Sequence, residues 1–173
     1  ASAASKRSPL HRAIPNLDMD EMAERIHDCV THARNLCDNV QWSSMDATRT
    51  EWDFLKRTVD IAIKAGATTI NIPDTVGYTE PVESAGLIKR LIAEVDRAGT
   101  VIFSTHCHND LGMATANSLA AVQGGARQIE CTINGLGERA GNTALEEVVM
   151  ASKLRGHSIP YATRIDPTTI INI

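Results

Sequence analysis

Apolar residues recur at spacings of three and four through Met19, Met22, Ala23, Ile26, Cys29, Val30, Ala33, Leu36 and Cys37. That stripe predicts one helix over 18–37 with a single buried face. Val40–Ser43 reads as a short strand. Thr50 followed three positions later by Asp53 reads as a helix start ahead of Phe54, Leu55, Val59, Ala62 and Ile63, with Gly66 as its stop. The β-branched run Thr68–Ile72 predicts a second strand, ended by Pro73 and Gly77 in the loop that follows. A helix from about Pro81 puts Ala85, Ile88, Leu91, Ile92 and Val95 on one face. Val101–His106 is the next strand, and about Leu111–Val122 the next helix, stopped by Gly124 and Gly125. A strand over Gln128–Ile133 and a Thr143–Glu146 capping box opening a last helix through Val148, Val149 and Ser152 complete the pattern.

Successive strand starts lie about 30 residues apart, the length of one βα unit with short loops. Four such units in succession imply a parallel sheet covered by helices, either doubly wound or part of a barrel. A complete (β/α)8 barrel needs roughly 200 residues or more, and the chain has 173. The expected fold is therefore α/β, a partial TIM barrel of about four βα units preceded by one helix. Residues 18–173 form that unit, and residues 1–17 form an N-terminal tail. The opening Ala1–Ser8 is small, basic and free of acids, which fits a frayed end or a chain boundary better than a transit-peptide remnant.

Composition narrows the function classes. With 43% hydrophobic and 22% charged residues the chain is that of an ordinary soluble domain. Six aromatic residues, two each of Phe, Trp and Tyr, make a stacking platform for single-stranded nucleic acid unsupported. Seventeen basic against twenty-one acidic residues give a net charge of −4, with no basic run longer than Lys6–Arg7, so no phosphate-backbone partner is indicated. No apolar stretch approaches ~20 residues, the span of a bilayer. Cys29, Cys37, Cys107 and Cys131 contain no C-x-x-C pair and read as reduced core thiols. The location expected is cytoplasmic, or plastid in a eukaryote.

The polar residues with chemistry collect after the strands: Asp74 and Thr75, then His106 and His108, then Asn134–Asn142. In parallel α/β architectures the carboxyl ends of the strands share one rim, where loops and helix N-termini converge. His106 and His108, two apart on an extended strand, project to one side while Cys107 points to the other. The plain reading of a strand-end histidine is a bond to a neighbouring carbonyl. The paired H-x-H followed by Asn109–Asp110 on such a rim instead suits one divalent ion, with Zn, Mn, Co and Mg all compatible. The loop Asn134–Asn142 also fits G-x-G-x-x-A, a dinucleotide-phosphate fingerprint. Glu138 places negative charge where a pyrophosphate belongs, and no strand with an acidic residue follows. Gly135 and Gly137 read equally as tight-turn residues, and Asn142 as a helix cap.

Three segments together resemble the 2-isopropylmalate synthase family: Asn71–Thr79 (NIPDTVGYT), His106–Gly112 (HCHNDLG) and Asn134–Asn142 (NGLGERAGN). The likeness runs from about Ser8–His11 to the end of the chain in the same order. The family includes homocitrate and citramalate synthases and condenses acetyl-CoA with a 2-oxo acid on a (β/α)8 barrel. NGLGERAGN followed by Thr143–Glu147 (TALEE) is most similar to the isopropylmalate branch. The resemblance implies that His106 and His108 ligate a divalent metal (Mn, Zn, Mg or Co), and that Asn142 lies in its coordination sphere. It implies that Thr75 holds the carboxylate of the oxo acid, that Ser43 is a substrate contact, and that Glu138 and Arg139 shape the rim loop. Thr75 and Glu138 are the catalytic candidates, and acetyl-CoA is the co-substrate.

Two departures from the family pattern stand out. The first-strand motif Asp-Thr-Thr-Leu-Arg-Asp-Gly, which supplies a metal ligand and an arginine at the oxo acid, does not occur in these residues. Met45 replaces the acidic residue after the Ser43 strand, and Asp46 beside it should point away if the strand persists. The expectation is therefore the fifth to eighth βα units of an isopropylmalate synthase, inactive alone, acting on 2-oxoisovalerate in leucine biosynthesis as part of a longer protein. Three alternatives stand beside it: a truncated non-catalytic binding or regulatory subunit of the same family, a homocitrate or citramalate synthase-type activity, and an open-sheet nucleotide binder. An open half-barrel exposes apolar sheet edges and half a core, so a homodimer or pairing with the missing half is expected.

Overall fold

The computed structural model describes residues 18–159 and 161–172; the tail expected over 1–17 lies outside them. Helix α1 (Met19–Leu36) starts where the Asp18 carboxylate accepts from the backbone N–H groups of Asp20 and Glu21, both at 2.8 Å. Such a cap is worth ~1 kcal/mol. There follow β1 (Gln41–Ser43), α2 (Trp52–Lys64), β2 (Thr69–Asp74), α3 (Pro81–Glu94), β3 (Ile102–Cys107), α4 (Ala114–Gly124), β4 (Gln128–Glu130) and α5 (Leu145–Leu154). The four strands form one parallel sheet in the order β1-β2-β3-β4. Each helix thus returns the chain beside the strand it left, as the βα repeat predicts. Among the described residues no helix is long and apolar enough to cross a membrane.

Several boundaries differ from the sequence expectation, each for a local reason. Strand β2 continues through Pro73. Its odd-numbered residues turn their backbone groups toward β1: Thr69 N donates to Val40 O and Asn71 O accepts from Ser44 N. Its even-numbered ones face β3, where Asp74 O accepts from His108 N. The N atom of Pro73 therefore looks past the end of β1, and its missing N–H costs no ladder bond. Helix α2 starts at Trp52, not at a Thr50 cap, because the Thr50 hydroxyl donates to Asp46 O at 2.9 Å. Helix α4 starts at Ala114 rather than Leu111, since the Asn109 side chain accepts from Ala114 N and closes a turn first. Strand β4 stops at Glu130, and the chain turns through Ile133–Gly135 with Asn134 at φ 56°. The Thr143–Glu146 capping box does not form: Thr143 is buried with its hydroxyl against Ser118 Oγ and Ala114 O, and the Glu146 carboxylate accepts from Asn134 N. Cys29 and Cys37, expected in the core, are exposed; Cys107 is buried and Cys131 half-buried, all four free.

The two faces of the sheet have opposite character. Trp42, Ile70 and Phe103 stand in register on one face, at most 2% exposed, packed with Ile26, Leu55, Val59, Ile88 and Leu91 of the helices. The other face carries Ser43, Asn71, Ser104 and Gln128 in one row and Pro73, His106 and Glu130 in the next. Across that face Gln128 Nε2 on β4 donates to Gln41 Oε1 on β1 at 2.7 Å and to Ser104 Oγ at 3.1 Å. In a flat sheet the first and fourth strands lie ~14 Å apart, so the sheet is curled with this face inside. The inner face is mostly polar, not the open half-core expected; Pro73 and Ile102, the latter 47% exposed, are apolar residues on it.

Helices α3 and α4 pack closely. The Ser84 hydroxyl donates to Asn117 O at 2.9 Å, and a Cβ built on Gly124 would fall on the Ala85 carbonyl. Gly124→Ala is therefore expected to lower stability by about 1–3 kcal/mol through overpacking. Gly86→Ala, on α3 with nothing within 4 Å of the added carbon, is expected to raise it by about 0.5–1 kcal/mol through helix propensity. Urea titration of both variants beside the parent reads the two signs.

Candidate functional site

Strand β3 delivers His106 to the inner face and sends Cys107 into the helix layer, where burial pushes its thiol pKa up. His108 follows just past the strand, its backbone N held by Asp74 O and its backbone bridged to Asn142. The two imidazoles turn toward each other: His106 Nε2 and His108 Nε2 are 3.0 Å apart, with ring planes at 67°. Nitrogen ligands on adjacent corners of one coordination sphere sit about 3.0–3.4 Å apart at metal–nitrogen distances of 2.0–2.1 Å. The spacing therefore suits two donors to a single ion. Burial, the neighbouring His106 and the Arg139 guanidinium push the His108 pKa below the ordinary imidazole range. A lowered pKa favours the neutral ring; with Arg139 donating at Nδ1 its one proton rests on Nε2, which has to give it up before that nitrogen can ligate.

The loop brings the Asn142 backbone into a bridge with His108. Asn142 Nδ2 donates to Leu136 O at 2.9 Å, while its Oδ1 is buried and has no hydrogen-bond partner. A buried acceptor left without a donor costs about 1–3 kcal/mol, and Asn71 Oδ1 and Asn117 Oδ1 are left in the same way. Gly137 makes room: a Cβ there would fall on Asn142 Nδ2. Among the described residues no three His, Cys, Asp or Glu side chains gather as an ion site.

Arg139 ties the rim together from a left-handed backbone at φ 61°. It grips Asp110 through Nε at 2.9 Å and Nη2 at 2.8 Å, donates to Thr75 O at 2.9 Å, and lies 2.6 Å from His108 Nδ1. The Asp110 carboxyl is held below the usual carboxylate range by that grip. Thr75 Oγ1 accepts from Asp46 N at 2.8 Å, which fixes the hydroxyl at the rim. Ser43 Oγ accepts from Asn71 Nδ2 at 3.2 Å on the inner face. Glu138 is exposed, and its carboxylate sits 3.7 Å from Arg139 Nη1. Met45 is 37% exposed, and Asp46 does not follow the alternation of a strand. The strand ends at Ser43, and Asp46, at φ 61° and fully buried, turns its carboxylate onto Arg49 Nε and Nη2, each at 2.8 Å.

Sequence reasoning missed Glu130, Asn71 and Gln41. Glu130 Oε2 lies 3.0 Å from His106 Nδ1 and accepts from Asn71 Nδ2 at 3.0 Å, while Gln41 Nε2 donates to Oε1. Contact with His106 lowers the Glu130 pKa, burial opposes the shift, and the Gln41 and Asn71 amides add to it. The signal was the alternation of Gln128, Ile129 and Glu130, which puts both polar side chains on the inner face. The dinucleotide reading fails on context: α5 begins only at Leu145, after the loop has crossed to pair with His108, so the glycines do not open a helix over a phosphate. Two hollows of about 510 and 560 Å³ lie beside α5 and the 161–167 segment, away from the histidines. Donor atoms, not cavity size, mark the site.

Gly77 supports this rim from below. It sits at φ 65°, and a Cβ there would approach Asp110 N and His108 O at 2.9 Å. Gly77→Ala is expected to cost about 1–3 kcal/mol through backbone strain and displacement of the 108–110 loop. The denaturation midpoint of the variant checks it.

The sequence profile of the HMGL-like family matches residues 3–173. The 2-isopropylmalate synthase of Caulobacter sp. (strain K31) is 64% identical over 154 residues, 89% of this chain and 29% of that protein. That of Rhodopseudomonas palustris (strain BisA53) is 58% identical over 164 residues, 94% of this chain and 32% of that protein. The chain thus spans about a third of the length of these curated relatives. Among solved structures, hydroxymethylglutaryl-CoA lyase from Pseudomonas aeruginosa superposes with a TM-score of 0.76 at 22% identity, covering 99% of this chain and 58% of that one. That likeness speaks to fold. With a profile match over nearly its whole length and relatives so similar across it, the chain belongs to the HMGL-like family.

Proposed function

We propose that this chain carries the metal-binding rim of a 2-isopropylmalate synthase, as four consecutive βα units, the fifth to eighth, of its (β/α)8 barrel. The observation that carries the reading is the 3.0 Å approach of His106 Nε2 to His108 Nε2, with Asn142, whose Oδ1 is buried and unpartnered, bridged to His108 through the backbone. His106, His108 and Asn142 would hold a divalent cation. A cation bound there supplies polarisation of the 2-oxo carbonyl toward attack by the acetyl-CoA methyl carbon. Thr75, its hydroxyl fixed by Asp46 N, would bind the oxo-acid carboxylate. Ser43 would line the same pocket from β1. Arg139 and Asp110 would hold the rim loop in place, and Glu138 at the loop's exposed edge would exchange protons with solvent.

The outer edges of β1 and β4 would be completed by the barrel's remaining strands, which supply the further metal ligand and the arginine at the oxo acid. The polar inner face favours that completion over self-association, because an interior of Gln41, Asn71, Gln128 and Glu130 offers little apolar area to a second copy.

Calorimetric titration of Mn²⁺ into the 173-residue chain is expected to show binding that weakens roughly 10-fold or more in His108→Ala; equal affinity returns both histidines to structural duty. With acetyl-CoA and 2-oxoisovalerate, the chain alone is expected to release no free thiol. Turnover at ordinary rates overturns the half-barrel reading.

A further inference from the structure

We infer that Glu130 is a positioning residue for the metal site: through Nδ1 of His106 it sets the tautomer and ring orientation that turn the His106 Nε2 lone pair toward the ion. The inference rests on the metal-binding reading above and adds to it the group that prepares one ligand.

The argument starts from register. His106 and Glu130 are direct partners on β3 and β4, so their side chains leave the same face side by side. Glu130 Oε2 lies 3.0 Å from His106 Nδ1, and Nδ1 is buried with no straight hydrogen bond to any group. A neutral imidazole carries its proton on one nitrogen only. A carboxylate beside Nδ1 stabilises the proton there and leaves Nε2 as the acceptor, and His106 Nε2 is the atom 3.0 Å from His108 Nε2. The carboxylate is itself fixed on both oxygens. Asn71 Nδ2 from β2 donates to Oε2 at 3.0 Å and Gln41 Nε2 from β1 to Oε1, so three strands aim one acceptor at one ring nitrogen. Ligating histidines commonly give their second N–H to such a partner, whose removal costs 10–100-fold in metal affinity.

The test uses the 173-residue chain, with Mn²⁺ calorimetry and two-dimensional ¹⁵N NMR of the imidazoles, the His106 signals being assigned with His106→Ala. In the parent, His106 is expected as the Nδ1–H tautomer. Glu130→Gln is expected to weaken Mn²⁺ binding roughly 10–100-fold and to shift His106 toward the Nε2–H tautomer, even before metal is added. Gln41→Ala, which removes one brace of the carboxylate and leaves the charge, is expected to give a smaller loss in the same direction; it serves where Glu130→Gln does not fold. An unchanged His106 tautomer with affinity within twofold in Glu130→Gln, while His106→Ala loses binding, overturns this inference alone. No Mn²⁺ binding by the parent overturns the metal reading and the inference with it.

Discussion

The pairing of β3 with a strand on each side is the constraint on which the rest depends. Parallel register places His106 opposite Pro73 on β2 and opposite Glu130 on β4. A slip of one residue along either ladder would turn both imidazoles into the helix layer and bring Cys107 to the inner face. That register is held from outside, where Trp42, Ile70 and Phe103 stand in line against the helices. Burying those three side chains in any other alignment would expose an indole or a phenyl ring, at about 1.5–3 kcal/mol for each large side chain left unburied. Apolar packing on one face thus specifies the polar chemistry on the other.

The division of labour between the faces also explains how a polar interior persists. Gln41, Ser43, Asn71, Ser104, Gln128 and Glu130 satisfy one another across four strands. The acceptors left over, Asn71 Oδ1 and Asn142 Oδ1, remain buried without partners. A network of this kind contributes less net stability than aliphatic filling. The chain meets that cost with its helix-covered face, where the core residues concentrate.

Much of this was legible in the chain. The βα rhythm, the parallel sheet, α1 with its buried Met22, Ile26 and Val30, and the H-x-H pair on one side of β3 follow from periods of 3.6 and 2 that tertiary structure did not override. What was not legible lay where a side chain had a distant claim on it. Thr50 and Thr143 carry local capping signals, but Asp46 O takes the first hydroxyl, and Ser118, packed on α4, is close enough to take the second. Asp46 looked like a strand residue pointing away, yet Arg49, three residues on, folds it into a buried ion pair. Glu130, whose alternation with Ile129 told only which face it takes, was missed for a different reason. Its role depends on a neighbour 24 residues earlier in the chain, and only the register of two strands shows that they meet.

Pro73 carries a last implication. Beyond Ser43 the β1 side of β2 presents a ring nitrogen with no hydrogen to offer, so the seam between the two strands has no tooth with which to close further. The chain leaving β1 is free to swing outward into the Ala47–Arg49 turn, and Asp46 N finds the Thr75 hydroxyl instead of a backbone carbonyl. A single imino acid thereby offers the chain leaving β1 no donor to pair with, and leaves the turn beside the threonine to be set by Asp46 and its own contacts.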